Sequence, residues 1–325
     1  MKALVTGGTG FIGSHLVEAL LKNGVEVRCL VRDLGHLKWL AGLDVEIIRG
    51  DTDIEASLSA AVAGVDYVFH AAGITKAARA WDYYRVNAQG TENLLRAALR
   101  EAGRIRKFVL VSSQAAAGPS KDGVPRREDD EPMPVSDYGR SKLLAERHAL
   151  AVKDELNIAI VRPTSVYGPR DRDIFTFFKM VQRGFRTAFF EKRLLSVCFV
   201  SDIVEGTVNA AFEETKSGDA FFLAHPDVLD WDFIGEAIAR ALGVRPRRVV
   251  IPVPLMGAVA LCAEAFSVFS RKPALLNSQK MAEIRQRFWV VATNKAEEVL
   301  KFKARVDFPT GAKITAEWYR LHGWL

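Results

Sequence analysis

Residues 6–13, with the sequence TGGTGFIG, follow directly on an apolar segment at residues 1–5. That segment reads as a buried parallel strand, and apolar residues at helical spacing come after the glycines, at residues 16–21. A strand, a glycine-rich turn and a helix in this order are what a dinucleotide-binding loop requires. Glycine permits the sharp turn and the close approach of a pyrophosphate, which the positive end of the helix stabilises. The pattern predicts a dinucleotide site; a tight turn without a ligand is the alternative.

A regular alternation of strands and helices follows this loop and ends near Gly168. Apolar runs at helical spacing separate the predicted strands, which lie at residues 25–31, 45–48, 66–70, 108–111 and 158–161. Strands that alternate with helices in this way form a right-handed parallel sheet with helices on both faces. The sequence therefore predicts an α/β fold with a Rossmann-type, doubly wound parallel sheet.

The pattern becomes irregular after Gly168. We predict strands at residues 194–200 and 221–224, a helix from Asp202 and a mostly helical remainder. A length of 325 residues suffices for one large domain with an appendage or for two domains. The predicted division is a dinucleotide-binding domain of residues 1–166, to which residues 195–224 return, and a smaller, interleaved C-terminal substrate domain of residues 167–194 and 225–325.

Composition and charge narrow the class of protein. A hydrophobic share of 49% with 26% charged residues is typical of a globular enzyme and excludes a mainly disordered chain. The net charge is +6, but no nucleic-acid-binding motif accompanies this mild excess, so we expect no nucleic-acid partner. Three widely spaced cysteines, Cys29, Cys198 and Cys262, match no metal-binding pattern. We expect reduced thiols, no metal and a cytoplasmic protein.

We expect neither a secretory signal nor a segment that spans a membrane. The apolar run after Lys2 is only four residues long before the glycines interrupt it. The most hydrophobic segment, residues 251–270, contains Pro252, Pro254 and Glu264 and is too interrupted for a spanning helix. We interpret it as a core helix of the substrate domain. Because basic residues flank it on both sides, association with a membrane surface is the alternative.

The end of the second predicted strand bears on the choice between NAD and NADP. A carboxylate there usually binds the ribose hydroxyl of NAD, whereas a basic residue accommodates the 2′-phosphate of NADP. Val31 is followed by Arg32, so we predict NADP, with Arg32 and Lys38 at the phosphate. A ribose contact from Asp33 would reverse the prediction to NAD, and a solvated loop charge is the third interpretation of Arg32. After the third strand, Asp51 is placed to reach the adenine.

The fourth predicted strand runs into Ala71, Ala72 and Gly73, small residues that let a cofactor pass close to the backbone. His70 ends this strand and is a conceivable base. Because it lies on a buried strand beside small residues, we assign it a packing role instead. Asn87, at the start of the next helix, is expected to cap that helix or to fix nearby backbone.

Ser113, Tyr138 and Lys142 form the candidate catalytic set. Ser113 follows the fifth strand, and Tyr138 and Lys142 are four residues apart on one face of the next helix. The reference pKa of tyrosine, about 10, is too high for an acid or base near neutrality, and a neighbouring cation should lower it. Tyr138 would exchange a proton with a substrate oxygen that Ser113 also contacts, and Lys142 would bind the nicotinamide ribose. A surface Tyr–Lys pair is the alternative.

Nine segments support a family resemblance, and they are TGGTGFIG (6–13), GDTD (50–53), HAAG (70–73), VNAQGTENLL (86–95), VLVSSQAAAG (109–118), YGRSK (138–142), RPTSVYGPRD (162–171), FVSDIVEG (199–206) and WYRLHGWL (318–325). In this order the chain resembles the extended short-chain dehydrogenases/reductases, which include nucleotide-sugar epimerases and dehydratases, dihydroflavonol reductases and 3β-hydroxysteroid dehydrogenases. The resemblance implies a homodimer and the catalytic residues Ser113, Tyr138 and Lys142. It implies cofactor contacts from Gly7, Gly10, Phe11, Ile12, Gly13, Arg32, Asp51, Thr52, Ala71, Ala72, Gly73, Tyr138, Lys142 and Pro163.

Two positions depart from the nucleotide-sugar members of this family. Ser165 stands where an asparagine is usual and Leu195 where an arginine is usual, and both usual residues contact a substrate diphosphate. Other arginines could replace them: Arg162, Arg170, Arg172 or Arg193. The phenylalanines at residues 175–190 either line an apolar pocket or simply pack the substrate domain.

The reductase and hydroxysteroid-dehydrogenase branch therefore fits best. We predict an NAD(P)-dependent oxidoreductase that interconverts a secondary alcohol and a ketone on a mainly apolar small molecule. A nucleotide-sugar epimerase or dehydratase with tightly bound NAD(P) is the first alternative. A regulatory module that binds the cofactor without catalysis is the second, although such a module would be expected to lack one of Ser113, Tyr138 and Lys142.

Overall fold

The computed structural model describes residues 1–254, 256–258, 260 and 278–325 of the chain. Within these residues the strands are β1 (Lys2–Thr6), β2 (Glu26–Val31), β3 (Val45–Arg49), β4 (Tyr67–His70), β5 (Lys107–Val111), β6 (Ile158–Pro163), β7 (Ser165–Tyr167), β8 (Phe185–Ala188), β9 (Leu194–Phe199), β10 (Asp219–Leu223), β11 (Val228–Asp230), β12 (Arg247–Val250) and β13 (Phe288–Trp289).

The helices within the same residues are α1 (Phe11–Lys22), α2 (Glu55–Val62), α3 (Ala80–Tyr83), α4 (Gly90–Leu99), α5 (Gln114–Ala117), α6 (Asp137–Ala151), α7 (Asp173–Gln182), α8 (Val200–Phe212), α9 (Trp231–Leu242), α10 (Ser278–Ile284), α11 (Asn294–Leu300) and α12 (Phe308–Leu321). A 3-10 turn at Leu34–His36 follows β2, and a π-helical turn at Tyr84–Gln89 joins α3 to α4.

Seven parallel strands form the main sheet, in the order β10, β6, β5, β4, β1, β2, β3. The chain moves outward from β1 to β3 and then returns to place β4 on the other side of β1. This reversal opens a crevice between the carboxyl ends of β1 and β4, where open α/β sheets bind ligands. The predicted Rossmann-type fold is confirmed, and the predicted bounds of the first six strands lie within one or two residues of those found.

The inner strands of the main sheet, β6, β5, β4, β1 and β2, are buried on both faces, whereas the edge strand β3 is half-buried to exposed. On β1, Ala3 and Val5 pack into the hydrophobic cluster that includes α1 and α8, whereas Leu4 packs into the opposite cluster with α2, α4 and α6. Successive side chains of a strand point to opposite faces, so both clusters draw on every strand. Burial on both sides is the reason that these strands read as continuous apolar runs.

A smaller layer, which we call the lid, comprises β7–β9, β11–β13, α7, α9, α10 and α12. Strand β9 pairs in parallel with β7 and β13 and antiparallel with β11, while β8 pairs with β12. Helices α7, α9 and α12 pack around Phe178, Ile238 and Tyr319. Between lid segments the chain returns to the main sheet as α8 and β10, so the two layers are interleaved. The predicted domain boundaries stay a prediction; β9 lies in the range assigned to the dinucleotide domain but pairs with lid strands.

None of the described helices is long and apolar enough to cross a membrane. The alternative of surface association concerned residues 251–270, of which 255, 259 and 261–270 lie outside the described residues, as does Cys262. Cys29 and Cys198 are buried free thiols, and burial raises the pKa of Cys29 to about 12. Across the described ranges, no group of three or more His, Cys, Asp or Glu side chains is arranged to hold a metal ion.

Candidate active site

The predicted site residues lie at one edge of the main sheet, where its parallel strands end. In chain order they are Gly7, Gly10, Phe11, Ile12 and Gly13 after β1, Arg32 after β2, Asp51 and Thr52 after β3, Ala71, Ala72 and Gly73 after β4, Ser113 after β5, Tyr138 and Lys142 on α6, and Pro163 at the end of β6. Because the strands are parallel, all of these ends meet at the same edge. The structure brings the residues together, while their individual roles stay predictions.

The glycine turn after β1 packs tightly against the loop after β4. Gly7 has a φ of +74°, and a β-carbon on it would come within 2.7 Å of the Ala71 carbonyl. A β-carbon on Gly13 would overlap the carbonyl oxygen of Gly7. The Gly10 amide donates to the same Gly7 oxygen at 2.9 Å. Glycine is therefore required at positions 7 and 13 for the turn to cross the crevice between β1 and β4.

The N-terminus of α1 lies at this turn, and neither a capping side chain nor an acidic residue of its first turn binds its backbone amides in the described part of the chain. Gly10 precedes the helix, no side chain in the described part of the chain caps it, and its first turn holds no acidic residue. The first backbone N–H groups of a helix have no partner within the helix, and they carry its positive partial charge. The amides of Phe11, Ile12 and Gly13 therefore fit the pyrophosphate of a dinucleotide.

Arg32 and Asp51 lie together at the far end of the crevice. The guanidinium of Arg32 is exposed and stands 3.9 Å from the Asp51 carboxylate. The neighbouring Asp33 is engaged locally, because it accepts from the Gly35 amide at 2.8 Å and contacts Nδ1 of His36 at 2.7 Å. The Gly35 amide, followed by His36, holds the pKa of Asp33 below its usual range. Asp33 thus caps the 3-10 turn, and the side chains of Arg32 and Asp33 are 73% and 59% exposed.

Thr52 and Lys38, two further residues predicted near the cofactor, each contact a neighbouring side chain. Thr52 is buried, and its carbonyl accepts from the Asn93 side chain at 2.9 Å. The ammonium of Lys38 lies 4.6 Å from the centre of the Trp39 ring. Thr52 is therefore held by α4, whereas Lys38 rests on the Trp39 ring.

His70 is held in a closed chain of hydrogen bonds. The Thr6 hydroxyl accepts from the Ala72 amide at 3.2 Å, so its proton points to Nδ1 of His70 at 2.7 Å. The Thr91 hydroxyl donates to the Asn87 carbonyl at 2.6 Å and accepts from Nε2 of His70 at 2.9 Å. This order assigns the proton to Nε2. Burial lowers the pKa of His70 to about 3, so the ring stays neutral, and its predicted packing role is confirmed.

Asn87 fixes the loop after Gly73. Its Oδ1 accepts from the Ile74 amide at 2.8 Å, and its Nδ2 donates to the Ile74 carbonyl at 3.1 Å and to the Ser141 hydroxyl at 3.0 Å. The expectation that Asn87 fixes nearby backbone is therefore confirmed. The link to Ser141 on α6 was not foreseen, because nothing in the sequence pairs residues so far apart.

Helix α6 carries Tyr138 and Lys142 on successive turns. Ser136 caps the helix by accepting from the Gly139 amide at 3.1 Å, which sets where the first turn begins. The Lys142 ammonium donates to the Val111 carbonyl at the end of β5, at 2.9 Å. Burial lowers the pKa of Lys142 to about 8, against the opposing effect of Glu146.

Ser113 lies close enough to Tyr138 to favour its phenolate. Ser113 also accepts from the Ala115 amide at 3.1 Å, which fixes its side chain at the start of α5. Burial raises the pKa of Tyr138 to about 12; Ser113 opposes this rise and the Glu283 carboxylate adds to it. The lowering that we expected from Lys142 is not found; burial, which has the largest effect on the phenol, acts in the opposite direction.

Four arginines were considered above as diphosphate contacts, and three of them are engaged elsewhere. Arg162 is buried and forms a two-armed ion pair with Glu146, at 3.0 and 2.8 Å. The guanidinium of Arg170 donates to Ser14 and Glu18, and that of Arg193 to backbone carbonyls at residues 284 and 286. Arg172 remains exposed, 5.8 Å from the centre of the Trp324 ring.

The phenylalanines of α7 pack the lid. Phe175 and Phe178 stack edge-on against Tyr319, and Phe177 lies 5.1 Å from the ring of Trp231. They belong to the hydrophobic cluster that α7 shares with α9 and α12. Of the two interpretations offered from the sequence, lid packing is the one that the contacts bear out for these residues.

Several side chains near the site were missed by sequence reasoning. Gln114, directly after Ser113, is buried, and its Nε2 has no hydrogen-bond partner among the described residues. A buried donor without a protein partner is expected where a ligand supplies the acceptor. Lys76, in the loop after β4, pairs with Asp173 at the start of α7, and Glu283 of α10 reaches the start of α6. Only the folded chain brings these residues to the site.

The sequence model of the NAD dependent epimerase/dehydratase family matches residues 3–223 of the chain. The match takes in the glycine turn, Ser113, Tyr138 and Lys142, together with the whole main sheet. It covers more than half of the chain.

Individual relatives extend the likeness over the lid. The chain is 30% identical to a ceramide reductase from Caulobacter vibrioides, over 99% of this chain and 95% of that protein. It is 31% identical to a 3 beta-hydroxysteroid dehydrogenase/Delta 5→4-isomerase from Mycobacterium tuberculosis, over 78% and 72%. The structure of UDP-glucuronic acid 4-epimerase from Bacillus cereus, in complex with UDP-glucuronic acid and NAD, superposes with a TM-score of 0.80 at 23% identity, over 99% of this chain and 100% of that one. At that identity the likeness shows the fold alone.

Proposed function

The chain belongs to the NAD dependent epimerase/dehydratase family, and from this premise we propose that it is an oxidoreductase that interconverts a secondary alcohol and a ketone on a mainly apolar small molecule. The observation that carries the proposal is the placement of Ser113, Tyr138 and Lys142 at the end of β5, where the Lys142 ammonium donates to the Val111 carbonyl, next to a glycine turn that fits a dinucleotide. Members of the family are dehydrogenases, reductases and epimerases, so the chain is an enzyme.

A dinucleotide held by the glycine turn and the N-terminus of α1 would supply hydride chemistry at the carbonyl carbon of the substrate, in either direction. Tyr138 gives its phenolic proton to the carbonyl oxygen as that oxygen gains negative charge, so that the carbonyl becomes a secondary alcohol. Ser113 donates a hydrogen bond to the same oxygen and orients it. Lys142 adds a positive charge that stabilises the phenolate left on Tyr138, which regains a proton from water.

The substrate proposal rests on charge. A diphosphate needs arginines or equivalent donors, yet Arg162, Arg170 and Arg193 are engaged with protein groups. Ser165 and Leu195 add no charge. The names of the ceramide reductase and of the hydroxysteroid dehydrogenase support the same substrate class, because ceramides and steroids are mainly apolar molecules. The phenylalanines of α7 pack the lid, so they give no evidence for an apolar substrate pocket.

We propose NADP as the preferred cofactor. Asp33, the residue that would favour NAD, is engaged with Gly35 and His36, whereas Arg32 is exposed beside Asp51. A guanidinium there would pair with a 2′-phosphate. NAD is the alternative, and the epimerase with a similar fold contains NAD. The homodimer and the cytoplasmic location stay predictions from the sequence.

A nucleotide-sugar epimerase or dehydratase is the second candidate, favoured by the exposed guanidinium of Arg172. Purified protein separates the two. Net oxidation of NADPH or NADH with an apolar ketone is the result expected here. Conversion of a nucleotide sugar without net change of the cofactor would overturn the proposal.

Replacing Tyr138 with phenylalanine tests the catalytic residue itself. We expect Tyr138→Phe to lower kcat by roughly 10²–10⁴-fold, because the proton donor is lost, while the dissociation constant of the cofactor changes less than about two-fold. Tyr84→Phe is the matched control, since the Tyr84 hydroxyl contacts Asp137 of the same helix at 3.0 Å but lies outside the proposed set. Wild-type turnover in Tyr138→Phe would remove the mechanism.

A further inference from the structure

Two side chains of the lid helix α10 contact the start of α6, the helix that carries Tyr138 and Lys142. The Asp137 amide donates to Oε1 of Gln279 at 2.6 Å, and the Ser136 hydroxyl donates to Oε1 of Glu283 at 3.0 Å. Gln279 and Glu283 are one turn apart and therefore project from the same face of α10. Through its acceptor role toward the Gly139 amide, Ser136 joins the Glu283 carboxylate to the first turn of α6.

Glu283 is held both at its backbone and at its side chain. The Trp289 indole donates to the Glu283 carbonyl at 3.2 Å, and the Arg193 guanidinium donates to the carbonyls of Ile284 and Gln286. The side chain of Glu283 is only 18% exposed and pairs with Lys280 at 3.0 Å. A carboxylate fixed in this way exerts its charge at a constant position rather than averaging over many rotamers.

We propose that Glu283 is a positioning residue for Tyr138: through Ser136 it holds the start of the catalytic helix, and it places a fixed negative charge beside the phenol. Ser136 caps the helix whose first turn carries Tyr138, so the carboxylate that it contacts lies at the same end of α6 as the phenol. The inference rests on the proposed role of Tyr138. A like charge disfavours the phenolate, and the pKa of Tyr138 is raised first by burial and also by Glu283.

Tyr83 of α3, whose ring centre lies 6.2 Å from that of Tyr138, and Asp173 of α7, with its partner Lys76, also act on the phenol. Asp137, with its partner Arg140, and Lys142 are the other ionisable groups on the first turns of α6. Asp173 acts on Tyr138 in the same direction as Glu283, but it is 57% exposed and paired with Lys76, so water and the cation weaken its effect. On α10 the partner of Glu283 is Lys280, 57% exposed. Glu283 is therefore the better shielded of the two carboxylates that reach Tyr138 from the lid.

The test compares Glu283→Gln with Gln279→Ala. The amide oxygen of a glutamine can still accept from Ser136, so Glu283→Gln removes the charge and keeps the contact. Gln279→Ala breaks the other contact between the same two helices and changes no charge. Both variants, Glu283→Asp and wild type are assayed for alcohol oxidation across pH with saturating oxidised cofactor. In parallel, the phenolate is titrated by its ultraviolet absorbance, with Tyr138→Phe as background.

The sign of the effect follows from the charge. Phenolate is the base in the oxidation direction, and removing a negative charge lets it form at lower pH. We expect the midpoint of both curves to fall by roughly one pH unit in Glu283→Gln and to stay unchanged in Gln279→Ala and in Glu283→Asp, which retains a carboxylate. An unmoved midpoint in Glu283→Gln, or an equal shift in Gln279→Ala, would overturn the inference. The absorbance titration needs no substrate, so it tests the inference even if the proposed reaction fails.

Discussion

At the scale of one residue, burial changes the pKa of Lys142, one of the proposed catalytic residues. Its ammonium donates to the Val111 carbonyl, and burial lowers its pKa to about 8. The cation is therefore present below that pH and is lost as the pH rises through it. The charge that supports a phenolate on Tyr138 would therefore be lost over the same pH range. Because the phenolate forms at high pH and the Lys142 cation persists at low pH, we expect the activity to depend on both titrations.

Arg32 decides the cofactor proposal and can be tested alone. We expect Arg32→Ala to raise the dissociation constant of NADP by about ten-fold or more and to leave that of NAD nearly unchanged, because only NADP offers a 2′-phosphate to a guanidinium. Calorimetric or fluorescence titration measures both. Arg147→Ala, which removes an exposed arginine from the outer part of α6, serves as the control for net charge. NADP binding that is no weaker in Arg32→Ala would refute the proposal.

At the scale of elements, a buried ion pair ties α6 to β6. Glu146 of α6 and Arg162 of β6 are 2% and 6% exposed, and Glu146 also accepts from the Ser112 hydroxyl at 2.5 Å. The guanidinium lies 5.4 Å from the centre of the Phe222 ring on β10. Glu146 follows Lys142 by one turn, so this pair sets the height and rotation of the helix that carries the proposed catalytic residues.

Breaking this pair should be costly. We expect Arg162→Met to lower the free energy of unfolding by about 3–5 kcal/mol, because it leaves the Glu146 carboxylate buried without its cation. Arg96→Met is the matched control: Arg96 pairs with Glu92 on the surface of α4 and is 66% exposed, so its loss should cost less than about 1 kcal/mol. Urea denaturation measures both. Equal losses would show that the buried pair contributes no more than a surface pair.

At the scale of the whole molecule, Arg170 joins the lid to the helix of the glycine turn. It has a φ of +73°, an unfavourable conformation for a side chain other than glycine. Its guanidinium donates to Ser14 at 3.0 Å and to Glu18 at 2.5 Å, and it lies 4.8 Å from the centre of the Trp39 ring. The contacts across the two layers therefore offset a strained backbone.

Two substitutions separate the strain from the contacts. Arg170→Ala and Arg170→Gly remove the same contacts, but only glycine relieves the left-handed backbone. We expect both variants to be less stable than wild type and the glycine variant to exceed the alanine variant by about 1 kcal/mol in urea denaturation. An alanine variant as stable as the glycine variant would contradict the strain at residue 170.

Local patterns predicted most of the main sheet. The glycine turn at residues 6–13 and the six strands that follow one another read directly, since buried parallel strands leave continuous apolar runs and the turn needs glycine at fixed places. The lid was harder. Strands such as β8, β11 and β13 are two to four residues long and pair with distant segments, so their sequence carries little periodic signal.

The sequence by itself determined the sheet, the turn and the spacing of Tyr138 and Lys142, because each depends on residues close together in the chain. The family match followed from the same local motifs. Tertiary structure decided the rest. It brought Glu283 to Ser136, engaged Asp33 in a local cap, engaged Arg162 and Arg193 with protein groups, and raised rather than lowered the pKa of Tyr138. Burial and contacts between distant residues set the charge and proton affinity of each group, and the local spacing of residues in the sequence predicts neither quantity.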